Sequence, residues 1–310
     1  MSGTTSLEGR TAVVTGAGAG LGRAEVLALA ARGANVVVND VGPAASDVAA
    51  EVEALGGKAV AVTGDVGNWQ LGDELVQAAV DTFGSLDIVV NNAGITRDTM
   101  LFNLTEQQWD DVIRVHLKGH AAVSRAAAVH WRSASKAAGG PVYGRVINTA
   151  SEAFLFGAAG QPNYSAAKAG IVALTLSTAQ GLSRYGVTAN AICPRARTGM
   201  TDGVFAEAAS ADGLDILAPE RVGTLVGYLA SPASAEINGQ VFVVYGDFVA
   251  LLAPPTVEKK FTADTGTFTV EELDGQLSGY FSGRGAYETF AAYSVAELDT
   301  TGVQNLAASR

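Results

Sequence analysis

Seven short apolar runs recur along the first 250 residues, at 10–15, 35–39, 59–64, 88–91, 145–149, 188–192 and 241–245. Each is dominated by Val, Ile and Ala and bounded by turn-forming residues, so each reads as a short buried strand. Longer helix-forming stretches separate them, such as the alanine-rich segment 24–31. That alternation predicts an α/β fold: a doubly wound, mostly seven-stranded parallel sheet with crossover helices on both faces. In such sheets ligands bind in the crevice beyond the carboxyl ends of the strands. Gly16, Asp40, Asp65, Asn92, Ser151 and Pro194 all fall at or just past those ends, so one edge gathers them.

The first strand-to-helix junction carries the run TGAGAGLG at 15–22. A lone glycine run is usually a flexible loop, but between a strand and a helix it has a specific use. It lets the backbone approach a pyrophosphate, while free N–H groups and the helix dipole attract the phosphates. Gly16, Gly20, Leu21 and Gly22 are the candidate cofactor contacts there. Asp40 closes the second strand at roughly the 20-residue distance expected of a ribose-binding carboxylate. A carboxylate accepts from both ribose hydroxyls and repels a 2′-phosphate, and no Lys or Arg lies within the glycine turn or directly after Asp40. NAD is therefore expected over NADP; the plainer alternative is a turn-forming Asn-Asp pair.

Tyr164 precedes Lys168 by four residues, a spacing that stacks the two side chains on one helix face. A cation beside a phenol favours the phenolate, lowering a pKa that is ordinarily about 10. Tyr164 is the candidate proton-transfer group. Ser151 closes the fifth strand-like run and is placed to hydrogen-bond the same substrate oxygen, and Lys168 also has the reach for a cofactor ribose. Taken singly, such a pair is an ordinary solvated helix surface and such a serine a turn former. The order of glycine turn, acidic residue, Ser and Tyr/Lys raises the functional reading.

These residues, with the NNAG motif at Asn91 to Gly94, resemble the short-chain dehydrogenase/reductase family over roughly residues 8–250. The resemblance implies the Rossmann sheet, Ser151, Tyr164 and Lys168 as catalytic residues, and Tyr164 and Lys168 at the cofactor as well. It further implies that Asp65 and Val66 contact adenine, that Asn92, Ala93 and Gly94 border the cofactor, and that Pro194 belongs to the cofactor loop. Two positions depart from the commonest pattern. His116 stands where many members have an Asn assigned to a proton relay, and Arg195 follows Pro194 where Gly is usual. By default a lone helical His is packing, so His116 stays outside the catalytic set.

The stretches VNDVG, RVHLKG, YGRVINTAS, GQPNYSAAK and ICPRARTGMT together resemble the dehydrogenase part of multifunctional beta-oxidation enzymes and their free-standing bacterial relatives. That resemblance implies NAD-dependent oxidation of a secondary alcohol to a ketone, with 3-hydroxyacyl-CoA as substrate, fatty acyl or steroid side chain. The alternatives are a hydroxysteroid dehydrogenase, an NADPH-dependent 3-oxoacyl reductase and a non-enzymatic dinucleotide-binding module. Asp40 opposes the reductase, and an intact Ser/Tyr/Lys set opposes the module.

Composition narrows the partners. A net charge of −11 without clustered Lys or Arg argues against nucleic acid and anionic membranes. Arg195 and Arg197 are candidate local cations for an anionic substrate, or else ordinary surface arginines. Phe154, Leu155 and Phe156 suit an acyl chain or sterol, or else core. One cysteine, Cys193, permits no internal disulfide and no thiolate metal cluster, so a reducing cytoplasm is expected. No apolar run reaches about 18 residues, and the first residues lack the pattern of a secretory signal. The expected assembly is a homodimer or homotetramer.

The pattern also divides the chain, with 1–250 as the dinucleotide-binding catalytic domain and 251–310 as an extension packed on the core or a partner subunit. Thr105 and Gln108 have the form of a capping box opening a helix through Trp109, Ile113 and Leu117. The small, polar segment 133–140 reads as a loop before the fifth strand. In the extension, Thr269 with Glu272 and Ser294 with Glu297 predict short helices. Phe261, Tyr280, Phe281, Tyr287, Phe290 and Tyr293 need cover from their own packing, a partner or the cleft lip.

Overall fold

The computed structural model describes residues 4–199, 215–285, 289–292 and 295. Ser294, Glu297, Tyr287 and Tyr293 lie outside the described residues. The seven expected strands are β1 (Thr11–Thr15), β2 (Asn35–Asp40), β3 (Lys58–Thr63), β4 (Ile88–Asn91), β5 (Gly144–Thr149), β6 (Val187–Pro194) and β7 (Val241–Tyr245). All pair in parallel, and an eighth strand not expected from the sequence, β8 (Phe248–Leu251), returns antiparallel on β7. The order is β3-β2-β1-β4-β5-β6-β7-β8. Strand order reverses between β1 and β4, which places a topological switch point there.

The central strands are apolar throughout because both of their faces are covered. All five residues of β1 and all six of β5 are buried. Helices α1 (Gly20–Ala30), α2 (Ala44–Ala54) and α8 (Pro219–Leu229) close one face. On the other lie α3 (Leu71–Phe83), α5 (Gly119–Ala138) and α7 (Pro162–Leu182). A third apolar cluster, with Ala150, Ile171, Cys193, Leu217 and Tyr245, sits beneath the carboxyl edge.

Polar ties fix that edge. Asn91 on β4 donates to Ser124 Oγ at 3.0 Å and to Asn148 Oδ1 on β5 at 2.9 Å. Asn148 in turn donates to Thr175 Oγ1 on α7 at 2.8 Å. Such a buried chain is stabilising only when its partners are in place, so it holds β4, β5, α5 and α7 in one register.

The Thr105 capping box is formed: Thr105 Oγ1 accepts from the Gln108 N–H at 3.3 Å, and Gln108 Oε1 accepts from the Thr105 N–H at 3.0 Å. It opens α4 (Glu106–Ile113). The expected loop at 133–140 is corrected, because α5 runs on to Ala138. It ends where Gly139 takes a left-handed φ of 68° and Ser135 Oγ donates to the Gly140 carbonyl. In the extension, Thr269 caps α9 (Val270–Phe281), which buries none of its residues. Aromatics of the extension meet edge to face, Phe261 with Tyr280 at 5.4 Å and Tyr280 with Phe281 at 5.3 Å between ring centroids.

Candidate active site

At the switch point the chain after β1 leaves through Gly16, with a positive φ of 62°. A Cβ there would lie 2.6 Å from Ala93 Cα, so only glycine lets this turn pass the loop after β4. Gly20, Leu21 and Gly22 form the first turn of α1. Asn92 staples the two loops, donating through Nδ2 to the carbonyls of Thr15 at 3.1 Å and Gly16 at 3.0 Å. Thr15 Oγ1 accepts from the N–H groups of Asn92 and Ala93.

A cleft of ≈ 260 Å³ opens here, lined by Gly16, Asp40, Asp65, Val66, Ala93 and Gly94 among others. Its donor set fits a dinucleotide. Asp40 Oδ2 accepts from the Gly18 N–H at 2.9 Å, which holds its carboxylate at the lip beside the glycine turn. Asp65 accepts from Gly67 N–H at 2.8 Å and from Arg114 at 2.6 Å. Burial raises the Asp65 pKa, but these two hydrogen bonds and the Arg114 charge outweigh it and keep the carboxyl below its usual range.

Tyr164 and Lys168 share a face of α7, and the turn after β5 brings Ser151 to them. Ser151 Oγ accepts from the Ala153 N–H at 3.2 Å and lies close enough to the phenol to lower its pKa. Lys168 is buried, with Nζ donating to the Thr149 carbonyl at 2.6 Å and standing 5.3 Å from the centroid of the Tyr164 ring. The expected lowering of the phenol by this cation is corrected. Burial pushes the Tyr164 pKa up to about 12, with the nearby Ser151 hydroxyl pulling the other way. Burial also takes Lys168 down to about 7, so near neutrality the ammonium carries only part of its charge.

His116, read from the sequence as packing, lies with its ring against Tyr164. Residues Arg114–Lys118 form a π-helical turn between α4 and α5, an arrangement frequent at functional sites. The His116 ring stands edge-on to Tyr164, its centroid 5.2 Å away, with Nε2 against the Ile95 N–H at 3.0 Å and the Ile95 carbonyl at 2.7 Å. Burial, then the Lys168 charge, holds its pKa well below the usual imidazole value, so the ring is neutral. Gly94 must be glycine because a Cβ would come 2.4 Å from His116 Cε1. The available signal was His116 at the family's Asn position.

The arginines expected to meet an anionic substrate are engaged elsewhere. Arg195 is buried in an ion pair with Glu152 at 2.6 Å, and Arg197 pairs with Asp215 at 2.5 Å. Glu152, next to Ser151, was a second residue that sequence reasoning passed over.

The short chain dehydrogenase family matches residues 10–209. This chain belongs to that family. It is therefore an oxidoreductase that binds a nicotinamide dinucleotide. The hydroxyacyl-CoA dehydrogenase ChsB1 of Mycobacterium tuberculosis is 56% identical over 298 residues, 93% of this chain and 94% of that protein. The peroxisomal multifunctional enzyme type 2 of Mus musculus is 41% identical over 262 residues, 81% of this chain and 34% of that enzyme. This chain thus spans about a third of the multifunctional relative. Among solved structures, a short chain dehydrogenase from Mycobacterium avium matches with a TM-score of 0.81 and 46% identity, covering 89% of this chain and 96% of that one. Among the described residues no helix is long and apolar enough to cross a membrane.

Proposed function

We propose that this short-chain dehydrogenase oxidises the secondary alcohol of a 3-hydroxyacyl-CoA thioester to the ketone, with NAD as cofactor and Ser151, Tyr164 and Lys168 as catalytic residues. The observation that carries the reading is that α7 sets Lys168 Nζ 5.3 Å from the Tyr164 ring centroid, while Ser151 at the end of β5 lies beside the phenol. The hydroxyacyl-CoA class rests on the 56% identity to a hydroxyacyl-CoA dehydrogenase along nearly the whole chain.

Gly16, Gly20, Leu21 and Gly22 hold the pyrophosphate, Asp40 takes the ribose, and Asp65 and Val66 border the adenine. Asn92, Ala93, Gly94 and Pro194 flank the rest. When bound, NAD supplies the hydride acceptor. Ser151 Oγ donates a hydrogen bond to the substrate oxygen, orienting the alcohol and steadying the charge that grows on it. Tyr164 Oη is the proton-transfer group: as the phenol that burial favours it donates to the ketone oxygen in reduction, and only as the phenolate, which the Lys168 ammonium favours, does it take the hydroxyl proton in oxidation. Lys168 sets the local field at Tyr164, anchored by the Thr149 carbonyl. Phe154, Leu155 and Phe156, half-buried just after Ser151, give the acyl or steroid side chain an apolar wall. Residues 1–250 form the catalytic domain and 251–310 an extension, in a homodimer or homotetramer of the cytoplasm.

The test is a panel of 3-hydroxyacyl-CoA esters and free hydroxysteroids, followed by NADH absorbance. The reading expects the highest kcat/KM on a CoA ester. A hydroxysteroid outperforming every ester would replace it with the hydroxysteroid dehydrogenase.

A further inference from the structure

Glu152 directly follows Ser151, and Arg195 directly follows Pro194. Across 43 positions of sequence their side chains meet fork to fork. Arg195 Nε donates to Glu152 Oε2 at 2.6 Å and Nη2 donates to Oε1 at 2.7 Å, with the two side chains only 4% and 7% exposed. The guanidinium lies over the Tyr245 ring at 4.5 Å, and Nη2 also donates to the Val295 carbonyl at 3.1 Å. Nearby, the Ala292 N–H donates to the Leu155 carbonyl at 2.9 Å. The pair therefore joins the turn after β5, the loop after β6, the end of β7 and the extension.

Stability alone is a poor reason for such a pair. Two charges taken out of water recover little more than their desolvation cost, and an apolar pair of similar volume often serves equally well. What a bidentate guanidinium–carboxylate contact adds is direction. We propose that Glu152 and Arg195 are positioning residues that lock the Ser151 turn to the Pro194 loop and so aim the Ser151 hydroxyl at the substrate oxygen. The proposal rests on the reading of Ser151 as the group that holds that oxygen.

The experiment compares Glu152→Met/Arg195→Met, Arg195→Lys and Ser151→Ala, alone and combined, on the best substrate of the panel above. Melting temperature and NADH affinity are measured alongside kcat and KM. The apolar pair is expected to keep the melting temperature and NADH affinity near wild type while kcat falls roughly 10²-fold, the cost of a small misplacement. Arg195→Lys is expected to lose on the order of tenfold in kcat, since the fork is gone and the charge kept. In the Ser151→Ala background neither change should cost anything further, because the clamp acts through Ser151. Wild-type kcat in the apolar pair, or an equal loss with and without Ser151, overturns the proposal. Should the apolar pair fail to fold, Arg195→Lys with and without Ser151 decides by the same criterion. Full turnover in Ser151→Ala alone would instead sink the catalytic reading beneath it.

Discussion

The imidazole of His116 stands perpendicular to the phenol ring of Tyr164, with ring centroids 5.2 Å apart. Its Nε2 is tied to the backbone of Ile95, so the ring is a fixed wall against which the phenol rests. Removing that wall frees Tyr164 to rotate. For His116→Ala we expect kcat to fall on the order of tenfold with NADH affinity little changed. Gly94→Ala, whose new methyl collides with the same imidazole, should reproduce the fall in kcat and, because Gly94 lines the cofactor cleft, weaken NADH as well. Steady-state kinetics with a fluorescence titration of NADH separate the two effects, and unchanged turnover in both variants contradicts the role.

Asp40 accepts the Gly18 N–H at the lip of the cleft. Its charge disfavours a 2′-phosphate there. Asp40→Ala should lower kcat/KM with NAD, both absolutely and relative to that with NADP, shifting the ratio at least about tenfold, or one unit of RT ln 10. If the ratio of the two efficiencies stays put, Asp40 does not select the cofactor.

Glu25 lies fully buried on α1 with neither carboxylate oxygen bonded, and burial pushes its pKa from 4.5 up to about 8. A raised folded-state pKa means that the folded protein holds a proton the unfolded chain has released. Stability from this group is then full below about pH 4.5 and is lost as pH rises to about 8, on the order of 5 kcal/mol in all. Glu25→Met should therefore melt higher than wild type at about pH 9, with an advantage that shrinks toward about pH 5. Thermal melts across that range check it; a pH-independent difference goes against a buried, unpaired carboxyl.

The sheet was legible because strands buried on both faces leave continuous apolar runs, and TAVVT, NVVVND and IVVN announce themselves. The strand ends then gathered the glycine turn, Asp40 and Ser151 without further information. Segment 133–140 misled because its Ser and Ala residues are equally at home in loops, and only Ser135 packing against Gly140 reveals the helix end. Strand β8 is only four residues long and apolar throughout, so its alternation of half-buried and exposed positions leaves no trace in the sequence. The Glu152–Arg195 pair was invisible because nothing local connects residues so far apart. The rise of the Tyr164 pKa is not legible in the sequence, since helix spacing sets which side chains meet whereas burial, which here dominates, depends on the whole fold.

Tyr164→Phe tests the central claim most directly, because it deletes one oxygen and leaves the ring against His116 and Lys168. With the general base gone, kcat should drop by roughly 10³-fold while the Kd for NADH, followed by fluorescence, stays close to wild type. Turnover within a few-fold of wild type, with NADH still bound, would contradict Tyr164 as the group that carries the proton.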